Sequence, residues 1–310
     1  MGDDRSFDVR PISTLTDVEI AATVSEMYGE PRSESWLRWK HQEGPWGRST
    51  GFAVCDTDGI LGLAFSLPWQ WRVGDHVIAG ARLIDGGSIA RARGKGVFRT
   101  QVQAMLDDFH PLREPVIATA TATPEAAASH VKLGATLLAP IRHAYCTLPG
   151  VRSARLVRGD EALASLEPAE PPDKLTTDWT PDSMRWRIDG RSGYAYEVAS
   201  LAQSDAANGV VYRATTVRGR LRVVVIIHSW GPALERRRLF AAAAREHRCL
   251  AILRPAGDGA ATAAGTPVLY RGESHLCVWN LDDDRGERSR ARPALRTGWA
   301  LANAELEGTM

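Results

Sequence analysis

The stretch that decides how this chain is read is Leu83–Phe109, LIDGGSIARARGKGVFRTQVQAMLDDF. A short apolar run ends at Asp85. A turn rich in glycine and arginine follows, Ala90-Arg91-Ala92-Arg93-Gly94-Lys95-Gly96. From there apolar residues recur at 97, 98, 102, 105, 106 and 109, the spacing of one helix face. Glycine lets backbone come close to a ligand, and the first amides of a helix have no acceptor within it. Strand, glycine-rich turn and helix N-terminus together make an anion cradle. Arg91, Arg93, Lys95 and Arg99 surround it with positive charge. The stretch predicts a site for a phosphorylated cofactor.

Outward from it, Phe7–Arg10 reads as a first strand and Asp17–Tyr28 as a helix capped by Thr16 or Asp17. In residues 33–47, SESWLRWKHQEGPWG, Ser33 or Ser35 opens a helical turn that Gly44-Pro45 ends. Phe52–Cys55 and Ile60–Leu67 form a hairpin around an Asp-Gly turn. Pro68 is expected to end the second run, with Trp69–Val73 and Val77–Asp85 as another hairpin leading into the cradle. Pro115–Thr121 reads as strand, Pro124–Leu133 as helix stopped by Gly134, and Leu137–Leu148 as strand.

Glu161–Asp173, acidic and proline-rich, has the composition of a linker or domain edge. Beyond it Ser183-Met184-Arg185-Trp186-Arg187 echoes Trp36-Leu37-Arg38-Trp39-Lys40. Strands at Tyr196–Ala199, Val210–Ala214 and Leu221–Ile227, a helix at Ala233–His247 and a strand at Leu250–Arg254 repeat the earlier order. The predicted organisation is residues 1–150, a connecting region 151–177, and a degenerate second copy 178–310. After Ile227 the chain reads His228-Ser229-Trp230-Gly231-Pro232, with no glycine-rich cradle. The fold class expected is α/β (α+β), two tandem domains, each a mixed, mostly antiparallel sheet flanked by helices.

Bulk properties narrow the function. The chain has 310 residues, 44% hydrophobic and 24% charged, with net charge +1, so it can bury a core and lacks the basic excess of a nucleic-acid binder. The first residues, MGDDRSFDVRPISTL, hold no apolar signal core and only a weak myristoylation frame at Ser6, and no apolar run is long enough for a membrane span. Cys55, Cys146, Cys249 and Cys277 lie far apart, without ligand spacing, so neither metal nor disulfide framework is expected. Cytoplasm is the expected location, and a monomer or homodimer that binds neither nucleic acid nor membrane is the expected state.

The loop does not fit a Walker P-loop, G-x-x-x-x-G-K-[ST], and a Rossmann G-x-G-x-x-G should follow the first strand of a parallel unit, not a meander. Arg91–Gly96 and, in the preferred frame, Arg93-Gly94-Lys95-Gly96-Val97-Phe98 resemble the [Q/R]-x-x-G-x-[G/A] signature of the GCN5-related N-acetyltransferases. Trp36, Trp39, Lys40, Pro45, Gly47, Asp85 and the R-G-K-G-x-F run resemble tandem members, whose C-terminal copy is degenerate. The resemblance implies that the loop binds the pyrophosphate of acetyl-CoA or another acyl-CoA. It also implies that Leu83 and Ile84 line the acyl group, and that backbone amides around Leu83–Gly87 receive its carbonyl.

Acyl transfer to an amine needs a neutral nitrogen, donors for an oxyanion and a proton for the thiolate. Asp85 is the candidate base or the anchor for water or substrate ammonium; its ordinary alternative is to order the Gly86-Gly87 turn. His130, in His130-Val131-Lys132-Leu133-Gly134-Ala135, stands where the resemblance puts a proton-donating tyrosine; a plain helix histidine is the alternative, and Ser129 a neighbouring donor. His228 stands at the Asp85-equivalent position of the second copy. Trp36 and Trp39, with Trp69 and Trp71, are candidates for a pocket wall or for core. Arg236–Arg238 reads as a solvated face, and Asp282-Asp283-Asp284 as a turn. The expectation is an N-acyltransferase for a small primary amine, with an amino sugar or an amino-sugar-bearing natural product suggested by the tandem resemblance. A longer acyl donor, a CoA binder whose chemistry has decayed, and a protein without CoA stand as alternatives.

Overall fold

The computed structural model describes residues 7–109, 115–138, 141–147, 154–166, 174–202, 204, 206–217, 219–256 and 267–281. The readings made for residues 1–6, for the end of the linker at 167–173 and for Asp282-Asp283-Asp284 lie outside these. The chain divides into two compact units interleaved in sequence: one within Met1–Gln70, Ile78–Leu138 and Leu276–Arg292, the other within Trp71–Val77, Ala139–His275 and Pro293–Met310.

The first unit opens with β1 (Asp8–Pro11), α1 (Asp17–Tyr28) and α2 (Glu34–Leu37). Helix α1 starts where a capping box is possible: Thr16 Oγ1 accepts from the Glu19 amide at 3.2 Å and Glu19 Oε2 accepts from the Thr16 amide at 2.8 Å. It ends at Gly29, whose φ of 70° suits a residue without a Cβ. Ser33 caps α2, accepting from the Trp36 amide at 3.1 Å. Then the helix widens into a π turn over Arg38–Gln42, closed by the bond from the Glu43 amide to the Arg38 carbonyl at 3.0 Å.

The meander is β2 (Thr50–Asp56), β3 (Gly59–Val73) and β4 (His76–Ser88). Pro68 does not end a strand, which corrects the two-hairpin reading: β3 runs through it. The last β3 residue paired with β2 is Ser66, so on that side nothing asks Pro68 for the N–H it lacks. After β4 come α3 (Val97–Phe109), β5 (Ile117–Ala122), α4 (Pro124–Lys132, capped by Thr123) and the short β6 (Thr136–Leu137). The sheet order is β1-β2-β3-β4-β5, and the last residues of β14 (Pro267–Asn280) complete it, pairing Cys277 with Leu137 and Val278 with Thr136. That strand has no counterpart in the sequence reading.

One face of this sheet buries Ala81, Leu83, Ala118, Ala120, Trp279 and Leu281 with Val102, Met105 and Phe109 of α3 and Ala127 of α4. The alanines at 118, 120 and 122 let the helices come close. Trp279 donates its indole N–H to the Leu133 carbonyl at 3.0 Å and so ties the end of β14 to the end of α4.

The second unit contains β7 (Ile141–Cys146), β8 (Leu156–Arg158), β9 (Thr176–Thr177), α5 (Pro181–Arg187), β10 (Glu197–Leu201), β11 (Gly209–Val217), β12 (Leu221–Trp230), α6 (Ala233–Glu246) and β13 (Ala251–Ala256). Its sheet order is β14-β7-β13-β12-β11-β10-β8, antiparallel except for β12 and β13. Both units therefore hold a mixed sheet flanked by helices. The expected linker is partly structured: Asp160–Ser165 forms a 3-10 turn that buries Ala162 and Leu163. Its two apolar side chains at the right spacing outweigh its acidic composition. No described helix is long and apolar enough to cross a membrane.

If the end of β14 belongs to the first unit's core, Trp279→Ala should cost roughly 3–5 kcal/mol. A urea melt should show it as a lower midpoint.

Candidate active site

Strands β4 and β5 run parallel but pair at only three positions, Gly80 with Ile117, Ala81 with Ala118 and Arg82 with Thr119. Thr119 Oγ1 donates to the Ala81 carbonyl at 3.3 Å and Arg82 Nη2 to Thr121 Oγ1 at 3.3 Å, just where the ladder stops. Past that point β4 continues to Ser88 without β5, so Leu83–Gly87, the segment expected to face an acyl group, is freed from that partner. Leu83 is buried in the core of the α3 face, and Ile84 is half-buried.

The free end of β4 leads into the cradle. Ala90–Ala92 make one 3-10 turn, Arg93 is extended, and Gly94 and Gly96 take φ of 75° and 84°. A Cβ at either glycine would meet nothing within 4 Å, so the turn lies open on its outer side. Val97 opens α3 and is buried, while Phe98 is half-buried and packs on the α3-face core, consistent with the Arg93–Phe98 frame. A Cβ on Gly86 would lie 3.1 Å from the Phe98 ring, so that glycine is what lets Phe98 rest on β4. Arg91 turns away and pairs with Asp56 at 2.8 Å. Arg93, Lys95 and Arg99 are exposed and form no ion pair among the described residues.

Asp85 sits in β4 with φ of 47°, a left-handed conformation that costs free energy for any residue with a side chain and is tolerated best by Asp and Asn. Its carboxylate is nearly buried. Lys40 Nζ donates to Oδ1 at 3.0 Å and lies 2.7 Å from Oδ2 as an ion pair, and His41 Nε2 lies 3.1 Å from Oδ2 without hydrogen-bond geometry. Burial alone would push this carboxyl up; the Lys40 charge and the His41 contact outweigh it and hold it well below the usual carboxylate range. The π turn explains how neighbouring residues 40 and 41 reach one carboxylate: a wider turn separates successive side chains by a smaller angle than an α-helix does. His41 is itself buried, stacked on Phe65 at 3.8 Å, and burial pulls its pKa down against the pull of Asp85, so it is neutral at pH 7.

The remaining candidates are placed as follows. His130 is 4% exposed, edge-on to Phe98 at 5.2 Å and to Trp279 at 5.1 Å. Burial lowers its pKa to about 4, and its Nδ1 has no hydrogen-bond partner among the described residues. Trp36 and Trp39 are both buried, and the Trp36 ring carries the Arg32 guanidinium at 5.1 Å and Lys40 Nζ at 5.0 Å. His228 lies in the second unit, half-buried between Trp179 and Trp230, with a pKa pulled to about 4 by burial and then by Arg236. The turn after β12 differs from the cradle: a Cβ at Gly231 would run into Ala207 and Asn208, and Pro232 occupies the cap of α6. The Arg236 and Arg237 side chains are half-buried, not the solvated face expected of that run.

His41 and Ser49 were missed by the sequence reading. Ser49 lines a cleft of ≈ 530 Å³ together with Asp17, Leu37, His41, Phe52 and Phe65. Helical spacing at a period of 3.6 gives no reason to group residue 41 with residue 40, so only the histidine's position beside Lys40 could have hinted at it.

No protein-family model matches the sequence, and no curated protein matches it. Solved structures do match the fold. A GCN5-related N-acetyltransferase from Anabaena variabilis ATCC 29413 superposes with TM-score 0.67 at 10% identity, over 89% of this chain and 73% of that one. Eis1 from Mycobacterium abscessus gives 0.59 at 16% identity, over 90% and 74%. Saccharomyces cerevisiae N-myristoyltransferase with bound myristoylCoA gives 0.55 at 12% identity, over 90% and 84%. The chain has the fold of the GCN5-related N-acetyltransferases.

Two outcomes follow from the buried charges. Lys40→Met should cost roughly 3–5 kcal/mol by leaving Asp85 ionised without its cation, and adding Asp85→Asn should recover much of it. Denaturant melts of the single and double variants would show this. For His130, an unfolded pKa near 6.5 and a folded value of about 4 mean that the unfolded chain binds more protons in between. Stability should therefore fall as pH drops from about 6.5 to about 4, by about 3 kcal/mol from this group. His130→Phe should flatten that part of the pH–stability curve.

Proposed function

We propose that this chain is an acyl-CoA-dependent N-acyltransferase, with acetyl-CoA as donor and the primary amine of a small molecule, an amino sugar or a compound bearing one, as acceptor. The observation that carries it is the parting of β4 and β5 after Arg82 and Thr119, directly followed by the open glycine turn at the start of α3. A thioester can enter between strands that no longer pair, and its pyrophosphate can meet the first amides of α3 and the unpaired Arg93, Lys95 and Arg99. The buried Nδ1 of His130, without a partner, suits a polar ligand group in the same region.

The acyl group is supplied by acyl-CoA; the chain orients it and binds the amine. The amine loses its extra proton to solvent, its nitrogen adds to the carbonyl carbon while the amides of Leu83–Gly87 stabilise the oxyanion, and collapse breaks the C–S bond, the proton released from nitrogen passing through solvent to the departing CoA thiolate. Asp85, held ionised by Lys40, is too weak a base to take the amine's proton and too strong an anion to be ignored by an ammonium. We assign it to holding the acceptor. His130, neutral and walled by aromatic rings, lines the site. Residues 1–150 would be the catalytic copy and 178–310 the degenerate one. Matched topology supports this: in each half three successive strands lead to a helix and a parallel return strand, and that parallel pair meets at three positions. The burial of His130 also favours a second reading, a CoA-binding protein without turnover.

Calorimetric titration with acetyl-CoA should give micromolar binding, weakened tenfold or more by Arg93→Glu or by Gly96→Val, which strains a left-handed backbone. No binding at high micromolar acetyl-CoA would sink both readings. Thiol release across an amine panel separates them: the acyltransferase turns over, the binder does not.

A further inference from the structure

The second unit also holds two parallel strands that part. β12 pairs with β13 only at Val223–Ala251, Val224–Ile252 and Val225–Leu253, then continues to Trp230 without it. On its other side β12 pairs Ile226 with Tyr212 and His228 with Val211, so Ile227 is one residue too many for β11. His228 follows this bulge at the parted end. It is half-buried, with its ring centroid 6.2 Å from that of Trp179 and 6.3 Å from that of Trp230.

Helix α6 returns over this sheet. Its buried stripe is Leu239, Phe240 and Ala243, in one cluster with Val224 and Ile226 of β12 and Ile252 of β13. Arg236 stands three residues before Leu239 and four before Phe240, so it extends the same stripe toward the helix start. A stripe that faces a sheet is ordinarily apolar, and here it carries a permanent cation. The Arg236 charge bears on His228, so the two groups share one neighbourhood.

Three nitrogens of this region are shut off from water and have no hydrogen-bond partner: His228 Nδ1, Arg236 Nε and Arg237 Nε. Neither guanidinium forms an ion pair with a described residue. Glu235, the acid of the same helical turn, is taken by Arg238 at 3.3 Å. A buried polar atom left unsatisfied costs roughly 1–3 kcal/mol, and more when the group is charged. Three orphaned nitrogens on the end of β12 and the start of α6, two of them on cations, call for one anionic acceptor.

We infer that the second unit binds a phosphate group through the side chains of Arg236, Arg237 and His228, at the end of β12 that β13 has left. Phosphate brings up to two negative charges and several acceptor oxygens, enough for two guanidiniums and an imidazole N–H; a carboxylate has one charge and two oxygens. His228 contributes in the tautomer that carries its hydrogen on Nδ1. The donors are side chains, so the missing amide of Pro232 is no obstacle. The site stands whether or not the first unit transfers acyl groups.

The test uses the full chain carrying Arg93→Glu, so that the cradle of the first unit does not contribute. Calorimetric titration with inorganic phosphate should show one site per chain. Adding Arg236→Gln should weaken it about tenfold, and His228→Phe should weaken it by a smaller factor. Adding Arg238→Gln, which removes a cation already paired with Glu235, should leave it unchanged. A thermal melt without phosphate guards against misfolding: Arg236→Gln should be no less stable than its parent, since it removes a buried cation without a partner. Repeating the titration with acetyl-CoA present tells the sources apart. Competition assigns the phosphate to CoA, its absence assigns it to another phosphorylated small molecule, and either keeps the site. No phosphate binding in the Arg93→Glu chain overturns the inference. So does binding that Arg236→Gln and Arg238→Gln weaken equally.

Discussion

A carboxylate that is almost withdrawn from water must be compensated, and much of the first unit is arranged around that demand. Asp85 carries a full charge at a kink in β4. A buried ion without partners would cost several kcal/mol or would neutralise itself. The chain answers with a cation and a histidine from one helical turn. That turn is a π turn, which brings the directions of residues 40 and 41 closer together than a regular helix does. The Lys40 ammonium and the Arg32 guanidinium lie over the Trp36 ring, so one face of that indole meets cations. Removing water from the pair makes it stiff, and stiffness is what the role proposed for Asp85, holding an acceptor's ammonium, would require.

The same kink bears on β4 as a strand. Its ladder with β5 lasts for three residues and ends shortly before Asp85. Two constraints therefore meet in a few residues: the parallel partner falls away and the backbone enters a left-handed conformation. Gly86 and Gly87 follow at once, one giving room to Phe98 of α3 and the other to Met27 of α1. A Cβ at either position would crowd the tip of the neighbouring side chain, at 3.1 Å from the Phe98 ring or 3.3 Å from the Met27 methyl. The glycine pair that could be read as a turn is instead a stretch of strand thinned on both faces.

Much of this was legible beforehand, and the reasons are local. The α1 capping box, the Ser33 cap, the start of α3 at Val97 and the left-handed glycines of the cradle all rest on short-range chemistry that a single sequence displays. What escaped depends on distant partners. Pro68 looked like a stop because proline removes a donor, but whether that donor is needed depends on where β2 ends. Strand β14 was overlooked because its role comes from pairing with segments more than a hundred residues earlier. Trp36 stood out as aromatic, yet its face is taken by Arg32 and Lys40. His41 shows the same limit most clearly: its place beside Asp85 comes with a helical irregularity, and hydrophobic periodicity assumes that none exists.

The two units finally show how little separates a scaffold from a site. Each brings a strand to a helix and returns on a parallel strand that pairs at three positions. In the second unit the turn before the helix is closed by Ala207 and Asn208 and capped by Pro232, which offers no amide. In the first, Gly94 and Gly96 leave their outer sides empty and the following helix keeps its first amides. Packing density and donor supply at one turn, not the course of the chain, are what distinguish the proposed anion site of the first unit from the corresponding turn of the second. The repeated architecture alone therefore does not distinguish the two turns, and the residues from Arg93 to Phe98, with Asp85 just before them, are where the two units differ in their local chemistry.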